Sequence, residues 1–439
     1  MSVVYEKMSY QNLLTFEWQG IIIVSYFLLC EVKEMKNSFK KIITSVLAIA
    51  VLGSSVFTLF SCKGNGLDVP KFSDDTIKIG ASGPLTGGAA VYGLAVQNCA
   101  KLAISEINEK GGLNGIKFSF EMFDDQHDAT RVNTGYANLY EKGMQISLGT
   151  VTTKPGLEWK ELSKDDNVFV LTPSASGDDI PEYSNAFQMC FADSNQGTAS
   201  AEYFNANYQG KKIGVFYKSD DEYSTGIYAK FKAALDSGFG QIKEASFKGE
   251  ESDFATQVAA LKDCDVIFMP IYYTPASQFM IAGKNVVKAD AVYYGCDGLD
   301  GIDAIAGFDI NTITQEVSYL SHFNSNATTG AAADFIAKYN ETFDEEKEPL
   351  NQFGAAAYDC IYAIYYALLA ATEAGETIDG STSASDLCDI LTAAFAGDYE
   401  FNGVTGEAEA NGKSVISWSA NGFVNKKAEK YVVKKATAN

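Results

Sequence analysis

From residue 76 onward, short β-branched and apolar runs alternate with stretches whose apolar residues recur at helical spacing. Ile77-Lys78-Ile79-Gly80 reads as a first strand, and Val96, Ala100, Ala103, Ile104 and Ile107 then share one face of a helix. Strands over 117–123, 145–149 and 168–171 follow, with helices over 129–141 and 155–163 between them. Strand and helix in alternation predict a parallel α/β sheet, since each helix carries the chain back to start the next strand in the same direction. The rhythm restarts at 212–216, with helices over 223–235 and 254–261 and strands over 242–247, 266–271 and 291–294. Both openings hold a strand containing Ile-Gly, a polar loop and a Tyr just before the helix, Tyr92 and Tyr223, which predicts a second lobe built as an internal repeat. Helical patterns over 331–339 and 353–374 and a β-rich tail over 400–433 complete the chain.

The first 75 residues follow a different pattern. Residues 42–60 carry no charge, follow Lys36, Lys40 and Lys41, and run into Ser61-Cys62. A charged segment, an apolar segment and a small residue before cysteine form an export signal of the lipoprotein kind. A transmembrane anchor of the same length is the alternative. The expected layout is a signal peptide over 35–61, a lipid on Cys62 and a polar tether over 62–75. Residues 1–34 read as an over-called start, because the codons for Glu31-Val32-Lys33-Glu34 are purine-rich, like a ribosome-binding site ahead of Met35.

The chain has 439 residues, enough for two domains at about 100–200 residues each. Its 34 Lys and Arg face 56 Asp and Glu, and Arg131 is the one arginine, which removes nucleic acid as a partner. With only His127 and His322, histidine-centred catalysis and metal cages lose their main donor, so binding is expected rather than an enzyme. Gly80 to Gly88 follows the first strand but lacks dinucleotide spacing, and Gly412-Lys413-Ser414 lacks the upstream glycine of a P-loop, so no cofactor is expected. Asp124, Asp125, His127 and Asp128 carry metal-ligand chemistry, but Asp128 is better placed as a helix N-cap, and no metal is expected. Most of the six cysteines beyond Cys62 lie in apolar patterns, and the sequence leaves open whether any two pair.

Two hydroxyl-rich loops carry the candidate chemistry. Gly149 to Pro155 and Thr172 to Gly177 both follow first-lobe strands, where open α/β sheets bind ligands. On adjacent strands, with N–H groups at helix starts, they predict a carboxylate site.

At these residues the chain resembles the type I periplasmic solute-binding proteins, specifically the branched-chain amino acid and amide group of ABC importers. The resemblance rests on Ile79-Gly80 with Gly83-Pro84-Leu85-Thr86-Gly87, and on Ala103-Ile104-Ser105-Glu106-Ile107-Asn108 with Gly111-Gly112 and Asn114-Gly115. Phe123-Asp124-Asp125, Leu171-Thr172-Pro173-Ser174-Ala175, Ala357-Tyr358-Asp359 and Gly403-Val404-Thr405-Gly406 extend it. It implies two Rossmann-like lobes with parallel sheets joined by three crossovers, near 192–193, 319–322 and 399–403. Lobe 1 would then span 76–192 and about 323–400, and lobe 2 about 193–320 and 401–439. It further implies that Thr153, Ser174 and Ser176, with backbone help from Ala175, hold an amino acid's carboxylate and ammonium. Tyr92, Tyr223, Tyr272 and Phe353 would line the side-chain pocket, and Asp297 would face the ammonium from the second lobe. Two departures stand out: His127 stands where some relatives begin a disulfide, and Asp297 replaces a frequent Glu.

The implied function is a monomeric extracytoplasmic lipoprotein that captures an amino acid or related small polar solute and passes it to ABC permease subunits at the membrane. The alternatives are a receptor for a sensor or chemotaxis protein on the same fold, or a binder of a neutral amide or urea-like solute.

Overall fold

The computed structural model describes residues 67, 69–344, 348–406 and 414–435; the leader, Cys62 and the tether positions 63–66 and 68 lie outside the described residues. The first half builds β1 (Thr76–Gly83), α1 (Ala90–Glu109), β2 (Lys117–Asp124), α2 (Val132–Glu141), β3 (Ile146–Thr150), α3 (Thr153–Asp165), β4 (Phe169–Thr172) and β5 (Ala186–Gln188). Its five strands are all parallel and run in the order β2-β1-β3-β4-β5. Every residue of β1, β3 and β4 is buried, as strands covered by helices on both faces must be.

The second sheet repeats the plan. After α4 (Asp193–Asn207) come β6 (Ile213–Lys218), α5 (Glu222–Ala234), β7 (Lys243–Phe247), α6 (Ala255–Leu261), β8 (Val266–Met269), α7 (Tyr273–Gly283), β9 (Val292–Gly295) and β10 (Glu316–Ser321). The order is β13-β10-β9-β8-β6-β7, with β13 (Glu429–Lys434) antiparallel on β10. Without β13, both sheets share one order, in which the second strand lies outside the first and the third lies on its other side. The repeat seen in the two openings is therefore a repeat of topology.

The chain then returns to the first sheet through α8 (Gly330–Thr342), α9 (Gln352–Glu373) and α10 (Ala384–Phe395). Asn351 caps α9 by accepting from the N–H groups of Phe353 and Gly354. The helix is long and apolar enough to cross a membrane, but 72% of its apolar window is buried inside the protein, which makes it a core helix packed on α1. A Cβ on Gly354 would lie 2.9 Å from Cys99 Sγ, so the glycine sets how closely the two helices approach. The six described cysteines are free and buried.

The third passage between the sheets differs from the expected one at 399–403. The hairpin of β11 (Glu400–Gly403) and β12 (Ser414–Ser417) stays with the first sheet. Trp418 donates its indole N–H to the Gln188 carbonyl at 2.8 Å and packs 4.5 Å from the ring of Phe395. Gln188 in turn donates its backbone N–H to Gly422. Among the described residues of the tail only β13 joins the second sheet, so residues 401–406 and 414–424 belong with lobe 1, and a buried tryptophan is what keeps them there.

Gly93 in α1 leaves room for the loop ahead of it. Alanine in a helix interior ordinarily gains about 1 kcal/mol over glycine. Here its Cβ would fall 2.0 Å from the Pro84 carbonyl oxygen, which is backbone and cannot swing away. Gly93→Ala is expected to destabilise the protein by about 1–3 kcal/mol, seen as a lower Tm in thermal unfolding, where an unchanged or raised Tm would contradict the packing argument.

Candidate functional site

The carboxyl ends of the two sheets face each other across a narrow cleft. Tyr92 is the third residue of α1, and its hydroxyl donates to the Gly298 carbonyl and accepts from the Tyr273 N–H. Thr274 Oγ1 donates to the Gly88 carbonyl at 2.6 Å, and Lys154 and Lys230 lie 3.7 and 3.4 Å from Glu222 and Asp178. These contacts run between the lobes, so the clamp is closed.

Of the cavities between the lobes, the one at the carboxyl ends of the strands is small, with room for about one water at about 10 Å³, while a larger one of about 380 Å³ opens beside Val91, Asp300 and Asn351. The first-lobe wall of the small cavity comes from Val151, Thr152 and Thr153 at the start of α3 and from Ser174 and Ser176 after β4. Tyr92 and Phe353 supply rings 4.9 Å apart in an edge arrangement. The second lobe adds Tyr223, Tyr272, Asp297 and Gly298. Eight residues expected at the site from sequence, Tyr92, Thr153, Ser174, Ser176, Tyr223, Tyr272, Asp297 and Phe353, thus meet around one void.

Ala175, expected to help through its backbone, does not line this cavity. Its N–H goes to Thr172 Oγ1 at 3.1 Å and its carbonyl accepts from Gln188 Nε2, so it stands behind the wall with no backbone donor left for a ligand. Thr172 explains this: its hydroxyl donates to the Thr150 carbonyl and ties the two hydroxyl loops together.

Asp297 is 1% exposed. Tyr223 donates to its Oδ1 at 2.6 Å, and its own backbone N–H donates to Gln196 Oε1 at 2.9 Å. Burial pushes its pKa up to about 7, against the hydrogen bonds from Tyr223 and Gln196. Asp193, which begins α4, is also buried with its pKa raised by burial, while the Ser176 hydroxyl bonds to it. Three buried polar atoms on the cavity wall lack any protein partner: Asp297 Oδ2, Thr153 Oγ1 and the Tyr272 hydroxyl. Such atoms are rare in folded proteins and point to a partner outside the chain.

Sequence reasoning missed Gln196, Asp193 and the individual roles of Thr152 and Gly298. The polar start of α4 was the available signal, since Asp193 and Gln196 are too polar to be buried without work to do. The acidic cluster after β2 is spent on the loop itself. Asp124 accepts from Leu85 and Thr86, Asp125 from Ser82 and His127, and Asp128 caps the following turn through Thr130. No group of residues suited to hold a metal occurs among the described residues.

The family model described as periplasmic binding protein matches residues 76–414. The Leu/Ile/Val-binding protein BraC3 of Rhizobium johnstonii is 26% identical over 360 residues, covering 79% of this chain and 93% of that protein. Among solved structures, the branched-chain amino acid transporter substrate-binding protein LivJ of Streptococcus pneumoniae, in complex with isoleucine, is similar with a TM-score of 0.64. It is 23% identical, over 81% of this chain and 99% of that one. The leucine-binding protein LivK of Thermotoga maritima gives a TM-score of 0.69 at 21% identity, covering 82% of this chain and 97% of that one.

The raised pKa of Asp297 makes a prediction about stability. Its folded value of about 7 lies above the 3.8 of an ordinary aspartate, so the retained proton favours the folded state at low pH and this advantage is lost as pH rises toward 7. Asp297→Asn is therefore expected to raise the Tm of the ligand-free protein at pH 8 and to leave it nearly unchanged at pH 4. Equal shifts at both pH values would show that burial of the charge is not the cause.

Proposed function

The chain belongs to the periplasmic binding protein family, and from that premise we propose that it captures a free α-amino acid, of the branched-chain type or a related small polar solute, between its two lobes. The observation that carries this reading is the set of unpartnered atoms on the two facing walls of one cavity. Asp297 Oδ2 is an acceptor that an ammonium would satisfy, while Thr153 Oγ1 beside the α3 N-terminus can donate to a carboxylate. Aromatic rings of Tyr92, Tyr223, Tyr272 and Phe353 then enclose the rest of the solute. A void sized for one water requires the lobes to part for entry and to close again around the ligand, which is the change of shape a membrane permease can read. In this role the protein is extracytoplasmic, held to the membrane by lipid on Cys62, and delivers its solute to an ABC importer.

Calorimetric titration of the chain from residue 62 with amino acids tests the ligand class. Leaving a buried ammonium without its acid costs about 2–5 kcal/mol, so Asp297→Asn should lose at least roughly thirtyfold in affinity. Because the ammonium needs the ionised acid, affinity should also fall as pH drops below about 7, and that slope should vanish in Asp297→Asn. Near-wild-type binding by the variant would favour the second reading, a neutral amide, to which an acid protonated near neutrality can donate.

The anchor has its own test. Cys62→Ser should release the exported protein from membranes, whereas an unprocessed variant that stays membrane-bound would assign the anchor to the apolar leader.

A further inference from the structure

The loop after β2 brings His127 against both walls of the cleft. Gln126 and His127 have φ of 57° and 62°, two successive non-glycine residues in the left-handed region, which is a costly backbone. Asp125 holds it there: Oδ1 accepts the His127 N–H at 2.9 Å, and Oδ2 accepts from Ser82 Oγ at 2.8 Å. The outcome is an imidazole whose Nδ1 lies 2.9 Å from Thr152 Oγ1, while the ring meets Tyr272 edge-on at 5.0 Å.

Both contacts bear on the cavity. Thr152 is the N-cap of α3, and a threonine there ordinarily accepts from the first N–H groups of its helix. Here it makes no such bond, and its hydroxyl is paired with His127 instead. The buried Thr153 hydroxyl at the same helix start is also unpartnered. Tyr272 stacks on Tyr223 at 4.7 Å, and Tyr223 holds Asp297.

We infer that His127 is a positioning residue of this site: it draws the Thr152 hydroxyl away from capping α3, leaving the first N–H groups of that helix for a ligand carboxylate, and it braces the Tyr272–Tyr223 stack from the opposite lobe. The inference rests on the cavity being the amino acid site. Burial, with Lys218 and Lys154 nearby, holds the His127 pKa down at about 4, so the ring acts near neutrality as an uncharged hydrogen-bonding group.

Two substitutions separate the two contacts. His127→Asn tolerates the left-handed backbone and places an amide where Nδ1 stands, but removes the ring. His127→Phe keeps a ring and removes the hydrogen bond. With L-leucine as the calorimetric probe, His127→Phe is expected to lose about tenfold in affinity and His127→Asn only about threefold. Thr152→Val added to His127→Phe is expected to recover part of that loss, because it removes the hydroxyl that would otherwise return to cap α3 and occupy its first N–H groups. Wild-type affinity in His127→Phe, or losses that multiply in full in the double variant, would overturn the inference, and the ligand-free Tm of His127→Phe, whose bulky ring sits on the left-handed backbone, identifies any loss that is merely structural. Tyr223→Ala checks the site itself. Lost binding there beside unchanged binding in His127→Phe removes only the role of His127, while unchanged binding in both removes the site.

Discussion

A carboxylate closed off from water, bonded through one oxygen and unpartnered at the other, is the constraint around which the rest of the structure is arranged. Asp297 gives up its hydration, and the bonds from Tyr223 and Gln196 recover only part of that cost. The closed clamp without a cation therefore holds an unfavourable group at its centre. In the proposed function a ligand ammonium would relieve it, which would make closure around an amino acid more favourable than closure on nothing. That difference is the quantity a binding protein needs, since a ligand shifts an equilibrium only through its preference for one state.

The repeated topology supplies the groups in pairs. The helix after each first strand presents a tyrosine, Tyr92 after β1 and Tyr223 after β6. Each third strand leads into a helix start at the cavity, Thr153 after β3 and Tyr272 after β8. Each fourth strand delivers the polar contacts, Ser174 and Ser176 after β4 and Asp297 after β9. The lobes nevertheless divide the chemistry. Hydroxyls and helix N–H groups gather in the first, and the acid stands in the second, so a zwitterion can be gripped from both sides.

The polar network behind the wall links the halves through the first passage between the sheets. The Ser176 carbonyl accepts the Asp193 N–H, the Asp193 carboxylate accepts from Gln196 Nε2 at 3.4 Å, and the Gln196 amide oxygen holds the Asp297 N–H. The first-lobe loop at Ser176 is thereby joined to the second-lobe acid by two residues in the first turn of α4, Asp193 and Gln196. Buried networks of this kind fix orientation, because leaving any member unpaired is costly in a medium with little water.

Much of this was legible in the sequence. Helical and strand periods report which side of an element meets the core, and core burial is the dominant force, so both parallel sheets and the loops at their ends could be read directly. Resemblance then carried eight cavity residues to their positions. What escaped were elements whose buried faces are not apolar or whose length is too short for a period. The α4 helix buries Asp193, Gln196, Gly197 and Ser200, and β5 has three residues. The direction of a single group was likewise invisible: the Ala175 N–H turns to Thr172, Trp418 holds the tail against Gln188, and His127 claims the hydroxyl of Thr152. Each of those outcomes is a hydrogen bond between residues brought together by the fold, or by a turn whose shape the fold imposes. Sequence by itself determined which segments are buried and where the polar loops at the strand ends begin; only the tertiary structure decided which donors those loops keep free.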